Sequence, residues 1–347
     1  MSSSVKIALD GMGGDRAPGI VVEGAALAAR KRQDLNFLLF GDGGELEPLL
    51  AQHPILADRV ELRHTPDRIE NETKPSVALR QGRNSSMRLA INAVKDKEAV
   101  ATVSAGNTGA LMAMSKFVLK TLPGVNRPAI GSLMPTKKQP VVMLDLGANV
   151  DCSADELVQF AVMGEVFARV VLGVAKPSVA LLNVGTEEMK GDDVVRSAAA
   201  MLRQARLPID FYGFVEGTDV ANGVVNVVVT DGFTGNVALK TAEGTADLFT
   251  TTLRSLFASS WRGKLAYLIA KPLLKQLRNR FDPRQYNGAM FFGLNGVVVK
   301  SHGGTDAVGF ANAIGVAADL AGLRAQDRIL DDLKHVDFAE LQMTQTG

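Results

Sequence analysis

At 347 residues, 46% hydrophobic and 22% charged, the chain carries enough apolar mass for a large buried core, as one α/β unit or two closely packed lobes. A net charge of +1 excludes a global field for nucleic acid, so any basic partner surface must be local. The single Cys152 excludes an intramolecular disulfide; with no signal-like start in MSSSVKIALD and no stretch near the roughly 20 apolar residues of a membrane span, the chain reads as cytosolic.

Eight near-continuous apolar runs read as strands covered on both faces: VKIAL, NFLLFG, RVELRH, AVATVS, PVVMLD, SVALLNVG, IDFYGFV and NVVVTDGF. Helical patterns fall between them at 19–32, 76–94, 109–120, 155–172, 192–206 and 237–260. Two covering helices, 307–322 and 327–341, close the chain. This alternation predicts a mostly parallel, doubly wound (Rossmann-like) α/β sheet. No low-complexity linker or fixed-period repeat divides the sequence, so residues 1–347 are expected to form a single large α/β domain. Ligands bind such sheets beyond the carboxyl ends of the strands, and here one polar loop after another follows an apolar run.

The first loop is DGMGGDRAPG. Gly11, Gly13 and Gly14 miss the dinucleotide fingerprint, because Arg16 stands where its third glycine belongs, and no G-K-S/T follows. What remains is a tight turn flanked by Asp10 and Asp15, readable either as a plain turn or as a close backbone approach to a phosphate. In the second loop, VSAGNTGAL, Ser104, Gly106, Asn107, Thr108 and Gly109 lead into a helix. Backbone N–H groups and the helix dipole favour an anion there, and Asn107 or Thr108 supplies a cap. The third, MLDLGANVDCSADEL, ends a strand at Asp145; Asp151 or Ser153 caps the next helix, with Glu156 as capping-box partner for Ser153.

The fourth loop, LLNVGTEEMKGDD, sets Thr186, Glu187, Glu188 and Lys190 between a strand end and a helix start. In that position Lys190 reads as a counter-charge for phosphate. The fifth, VVVTDGFTGNVALK, offers Asp231, Gly232, Thr234, Gly235 and Asn236, and the sixth offers Lys300, Ser301, His302, Gly303, Gly304 and Thr305. All six are expected to face one crevice along one sheet edge. His53, His64, His302 and His335 lack metal-ligand spacing, and no G-x-S-x-G elbow is present, so neither a metal site nor a serine triad is expected. Amides, hydroxyls and lysine without an evident protein nucleophile suit a substrate that brings its own, as inorganic phosphate does.

From 254 to 284 the sequence turns basic: RSLFASSWRGKLAYLIAKPLLKQLRNRFDPR. Leu265, Leu268, Ile269, Leu273, Leu277 and Phe281 recur at helical spacing beside Arg262, Lys264, Lys271, Lys275, Arg278 and Arg280, with Trp261 and Tyr267 close by. Pro272 argues for a kinked or paired helix. A core-packing helix with a solvated basic face is the plain reading; a dock for lipid or for an acidic protein is the functional one and is favoured.

Taken in order, these loops resemble the bacterial phosphate acyltransferases of phospholipid synthesis (acyl-acyl carrier protein:phosphate acyltransferases, PlsX type) over nearly the whole chain. The carriers are LDGMGGDRAP, ALRQGRNSSM, SAGNTGA, NRPAIG, DLGAN, LLNVGTEEMKG, VVTDGFTGNVALK and GLNGVVVKSHGG. Gly11 stands where the family more often has alanine, a change expected only to loosen the turn. The resemblance implies a fold similar to phosphotransacetylases and to isocitrate and isopropylmalate dehydrogenases. It also implies a homodimer that moves a fatty acyl group from acyl carrier protein to inorganic phosphate. The acyl phosphate would pass to a membrane-bound glycerol-3-phosphate acyltransferase, with the enzyme cytoplasmic and peripherally associated with the inner face of the cell membrane. No cofactor, metal or nucleic acid is implied.

The expected chemistry is direct attack of bound phosphate on the thioester. Lys190 holds the phosphate, Asn236 orients it or steadies the oxyanion, and His302 protonates the departing thiolate. Amides of Gly13, Gly14, Gly106, Asn107 and Gly109 form the cradle. Asp10, Asp15, Ser104, Thr108, Glu188, Asp231, Gly235 and Gly303 complete the expected phosphate- and substrate-binding set. The rivals are a phosphotransacetylase using acyl-coenzyme A and, from another class, a non-catalytic membrane-docking scaffold. A decarboxylating dehydrogenase is disfavoured, because its metal-binding aspartate cluster has no counterpart.

Overall fold

Valine, isoleucine, leucine and phenylalanine runs, buried on both faces, build an eleven-stranded sheet in the computed structural model, which describes residues 4–204, 209–280, 282–323 and 325–333. The first half of the chain gives β1 (Val5–Asp10), α1 (Gly19–Lys31), β2 (Leu35–Gly41), α2 (Gly43–Leu50), β3 (Val60–His64), α3 (Pro75–Gln81), α4 (Ser86–Lys95), β4 (Ala101–Ser104) and α5 (Thr108–Leu119). Next come β5 (Ala129–Met134), β6 (Val141–Leu144), α6 (Ala154–Val171), β7 (Ser178–Leu182), α7 (Asp193–Gln204), β8 (Asp210–Val215), α8 (Gly217–Asn222) and β9 (Val227–Val229). The chain continues through α9 (Gly232–Ala258), α10 (Trp261–Arg280), β10 (Ala289–Phe292), β11 (Val297–Lys300), α11 (Ala307–Gly322) and α12 (Ala325–Leu333). The expected helix 327–341 is described only as far as Leu333, and the last two residues of the expected helix 192–206 also lie outside the described residues.

All eight predicted strands form, and three more, β5, β10 and β11, join them. The predicted helix 76–94 is two helices instead. Gly82 closes α3, and the Ser85 hydroxyl accepts from the Arg88 N–H to start α4. At α6 the alternative is resolved: Ser153 is the cap, and its capping box with Glu156 is complete.

The sheet order is β3-β2-β1-β4-β11-β10-β5-β6-β9-β7-β8. Seven neighbouring pairs are parallel and three antiparallel, so the mostly parallel sheet is as expected. The three reversals all fall at β10 and β5 in the middle. They leave two parallel blocks, β3-β2-β1-β4-β11 and β6-β9-β7-β8, that run in opposite directions. The expectation of six loops on one sheet edge is therefore corrected: three follow β1, β4 and β11, and three follow β6, β9 and β7. The reason is the odd number of antiparallel pairings between the blocks, which turns the second block over.

One face of the sheet packs under α1, α6 and α11, with Phe160, Phe167, Phe292 and Phe310 in the core; α4 and α5 cover part of the other with Met87, Ile91, Leu111 and Met114. Helix α9 leaves this core: Gly232 and Gly235 are buried at its start, while 241–250 are all exposed. Residues 254–258 form its last turn, and α10 follows after Ser259 and Ser260, running through Pro272. The two helices pair, with the Phe257 and Tyr267 rings edge to face at 5.6 Å. Leu265, Leu268, Leu273 and Ile269 (74% exposed) stand in solvent, so the core-packing reading of this segment does not hold. Phe281 and the side chains of Leu277, Arg278 and Arg280 lie outside the described residues. No helix among the described residues is long and apolar enough to cross a membrane.

Candidate active site

A carboxylate at the end of a central strand must be paired or lose its charge. Asp10, 1% exposed at the end of β1, receives the hydroxyls of Ser86 and Ser104, each at 2.6 Å. Ser104 in turn accepts from the Gly106 N–H at 3.1 Å. Burial raises the Asp10 carboxyl above the ordinary carboxylate range, against the pull of those hydroxyls, the Met12 N–H and the Lys300 charge. Asp10 thus ties β1 to α4 and to the loop after β4.

Lys300, buried at the end of β11, donates through Nζ to the carbonyls of Ala105 (3.3 Å) and Ser301. Burial pushes its ammonium down to about 8, against the charges of Asp15 and Asp10 and with the Lys240 charge adding to the fall. Asp15 accepts from the Asn71 amide at 2.7 Å, and its own N–H donates to the Gly303 carbonyl. Asn107 caps α5 by accepting from the Ala110 N–H at 2.9 Å, and its amide holds the carbonyls of Asn71 and Thr73. The loops after β1, β4 and β11 therefore form one built site.

Close approach explains the glycines of the first loop. A Cβ on Gly13 would stand 2.3 Å from Asp10 Oδ2 and 2.8 Å from the Gly106 nitrogen; Gly14 has φ +110° against Ala105 and Gly303. Gly11 does more than loosen the turn: a Cβ there would meet the Phe40 carbonyl at 2.7 Å, and the Gly11 N–H donates to that carbonyl. Among the described residues, the N–H groups of Gly13, Gly14, Asn107, Thr108 and Gly109 donate to no other protein atom. Open amides at a strand–helix junction are the chemistry of an anion cradle. His302, exposed beside this site, accepts from the Gly304 N–H through Nδ1 at 3.2 Å, which leaves Nε2 to carry the proton of the neutral ring.

The second set of loops is organised by Asp145, fully buried after β6. Its carboxylate accepts from the N–H groups of Ile130, Gly147, Ala148 and Asn149 and from the Asn149 amide, at 2.7–3.2 Å. The Asn149 amide also reaches the Pro128 carbonyl at 2.8 Å. Helix α9 starts against this knot. Asp231 caps it by accepting from the Thr234 N–H at 2.8 Å, and the Asn236 side chain lies over Gly147. Lys240 is one turn beyond Asn236 on the same face of α9. The Lys240 charge is felt at Lys300 in the first set.

The loop after β7 stands apart. Lys190 is exposed, its carbonyl accepting from the Asn183 amide at 3.0 Å, and its ammonium makes no ion pair among the described residues. Glu188 points to Arg203 of α7 at 3.3 Å and is 83% exposed. The structure thus brings Asp10, Gly13, Gly14, Asp15, Ser104, Gly106, Asn107, Thr108, Gly109 and Gly303 together around Lys300, with His302 at their rim. It gives Asp231 and Gly235 to the start of α9 beside Asn236, and leaves Lys190 and Glu188 on a separate loop. No group of acidic, histidine or cysteine side chains able to hold a metal occurs among the described residues.

Ser86, Asn71, Lys240 and the central place of Lys300 were not singled out from sequence. A lysine ending the run VVV was the available signal for Lys300, and the four-residue spacing from Asn236 was the signal for Lys240. Lys300 carries a test. Its folded-state value near 8 lies below the ordinary 10.5, so the unfolded chain binds the extra proton between those limits. The Lys300 contribution to stability therefore rises as pH goes from about 8 towards 10.5. Denaturant midpoints compared with those of Lys300→Met across this range are expected to move in the wild type's favour with rising pH.

A solved phosphotransacetylase from Streptococcus pyogenes has this fold, with a TM-score of 0.61 at 19% identity, covering 92% of this chain and 94% of that one. The fold class is that of the phosphotransacetylases, as the motifs led one to expect. Residues 5–328 match the family model described as fatty acid synthesis protein. The phosphate acyltransferases of Rhodospirillum centenum and Paramagnetospirillum magneticum are 59% and 56% identical to it, over 98% and 99% of this chain and 96% and 98% of their own. The chain belongs to this family of acyltransferases, the PlsX-type phosphate acyltransferases.

Proposed function

We propose that the protein transfers a fatty acyl group from acyl carrier protein to inorganic phosphate, releasing acyl phosphate and the carrier thiol. The observation that carries this reading is the set of open amides at Gly13, Gly14, Asn107, Thr108 and Gly109 beside the buried Lys300 ammonium. Protein nucleophiles are held back. Ser104 is buried and bonded to Asp10, and burial, with the charges of Asp145 and Glu156 adding, pushes the Cys152 thiol up to about 12. The nucleophile is then the phosphate.

A phosphate oxygen attacks the thioester carbonyl carbon; the new C–O bond forms, the C–S bond breaks, and the electron pair leaves on sulfur. Lys300 offsets the phosphate charge beside the cradle, Lys190 adds to it when substrate binding brings in the loop after β7, and Asn236 orients the phosphate or donates to the carbonyl oxygen as that oxygen gains charge. His302 takes up the proton that the attacking hydrogen phosphate sheds, and the imidazolium so formed delivers a proton from Nε2 to the thiolate. Holding phosphate and thioester in register supplies much of the acceleration, because a thiolate leaves readily. We further propose that the enzyme is a homodimer and a single large α/β domain. The exposed apolar and basic residues of α9 and α10 dock it to the inner membrane surface or to acidic carrier protein, within reach of a glycerol-3-phosphate acyltransferase that consumes the product.

The test compares palmitoyl thioesters of carrier protein and of coenzyme A. Phosphate-dependent thiol release that favours the carrier-protein donor is expected. Preference for coenzyme A would favour a phosphotransacetylase, and vesicle binding without any thioester loss would favour a scaffold.

A further inference from the structure

Away from these loops, a cavity of about 510 Å³ lies between the exposed side of α4 and the last turn of α5, bounded by the β10–β11 turn. This is the size of a small-molecule site. Arg88, Asn92 and Lys95 reach it from one side of α4, Phe117 and Lys120 from the end of α5, and Asn295 from the turn. The Arg88 guanidinium and the Lys120 ammonium stand 5.2 and 4.9 Å from the Phe117 ring centre. Lys120 holds a left-handed backbone (φ +64°), fixed by its carbonyl accepting from the Asn295 N–H at 3.1 Å. No acidic side chain lines the cavity, and none of its three cations makes an ion pair among the described residues.

Among the described residues eight arginines, Arg32, Arg63, Arg68, Arg127, Arg169, Arg196, Arg203 and Arg284, meet carboxylates, whereas Arg88 is among those that meet none. Helix-dipole compensation accounts for Lys95, in the last turn of α4, but not for Arg88, in its first turn, where a cation opposes the dipole. Instead Arg88 is fixed by donating to Asn92 at 3.2 Å, and the Arg83 charge adds to the positive field there. Three uncompensated cations around a concave space, with two amides and no acid, match a multiply charged anion.

We propose that this cavity is a second binding site, for a small anion of the pyrophosphate or organic polyphosphate class, separate from the acyl-transfer site. Calorimetric titration of the full chain with inorganic pyrophosphate tests it. Wild type and Lys190→Ala are expected to bind alike. Lys95→Ala/Lys120→Ala, which alters two exposed positions, is expected to weaken binding at least about tenfold for each cation removed while acyl transfer continues unchanged. Arg88→Ala is expected to weaken it further, with Arg88→Lys partly restoring it. Undetectable binding to wild type, or equal binding to Lys95→Ala/Lys120→Ala, would overturn the proposal. The readout is the difference between wild type and Lys95→Ala/Lys120→Ala, so any pyrophosphate held at the acyl-transfer cradle, common to both, cancels, and the result is independent of the reaction proposed above.

Discussion

Lys190→Ala and Asn236→Ala are each expected to lower kcat by about 100-fold or more, the size of losing one preorganised donor to developing charge. Asn236 sits over Gly147 on the face of α9 that carries Lys240, and Lys240 acts electrically on Lys300. In the proposed mechanism the Asn236 amide orients the phosphate or donates to the thioester carbonyl oxygen. Lys190 reaches from a loop flanked by Gly185 and Gly191, the latter at φ +88°, and has no carboxylate to hold it among the described residues. Both side chains are exposed, so their removal is expected to leave the unfolding free energy within about 0.5 kcal/mol of wild type. Steady-state rates at saturating phosphate check the first part and urea melts the second. Near-normal rates in both variants would remove these residues from the mechanism.

Gly235→Ala is expected to be far more damaging to the fold. An added Cβ would lie 1.9 Å from the Asp145 carbonyl oxygen, a backbone atom held in place by the buried carboxylate of the same residue. The first turn of α9 must move outward, breaking the Gly232 N–H bond to the Asn149 carbonyl at 2.7 Å and displacing Asn236. A loss of about 3 kcal/mol or more, the upper range for overpacking, is expected together with loss of turnover. Gly244→Ala on the same helix is the control, since a Cβ there meets nothing within 4 Å. That variant is expected to be neutral or slightly stabilising by helix propensity.

Much of this was legible in the sequence because it is local. Strands buried on both faces read as apolar runs, and each polar loop announced a strand end. Asn107 and Ser153, each one of two caps offered by residue type and spacing, are the caps found, whereas α9 starts at Gly232, five residues before the expected 237, under a cap at Asp231 that was not foreseen. Strand direction was not legible. β5 carries Gly131 and Ser132, β10 and β11 are four residues each, and their antiparallel pairing is set by partners far along the chain. Missing them hid the reversal that splits the six loops into two sets. The pairing of Asp10 with Ser86 and Ser104 was likewise hidden, since it joins residues 76 and 94 positions apart. Apolar spacing was legible as helical over 261–280, but spacing says nothing about what the apolar stripe faces, and Leu265, Leu268, Ile269 and Leu273 face solvent.

The most direct test of the central claim is a single-turnover reaction of the enzyme with palmitoyl-carrier protein, with and without phosphate, quenched into hydroxylamine. Phosphate as the attacking group predicts no thiol release and no acylated protein when phosphate is absent, and palmitoyl hydroxamate in step with thiol release when it is present. A stoichiometric burst of thiol without phosphate, leaving the acyl group on the protein, would contradict it.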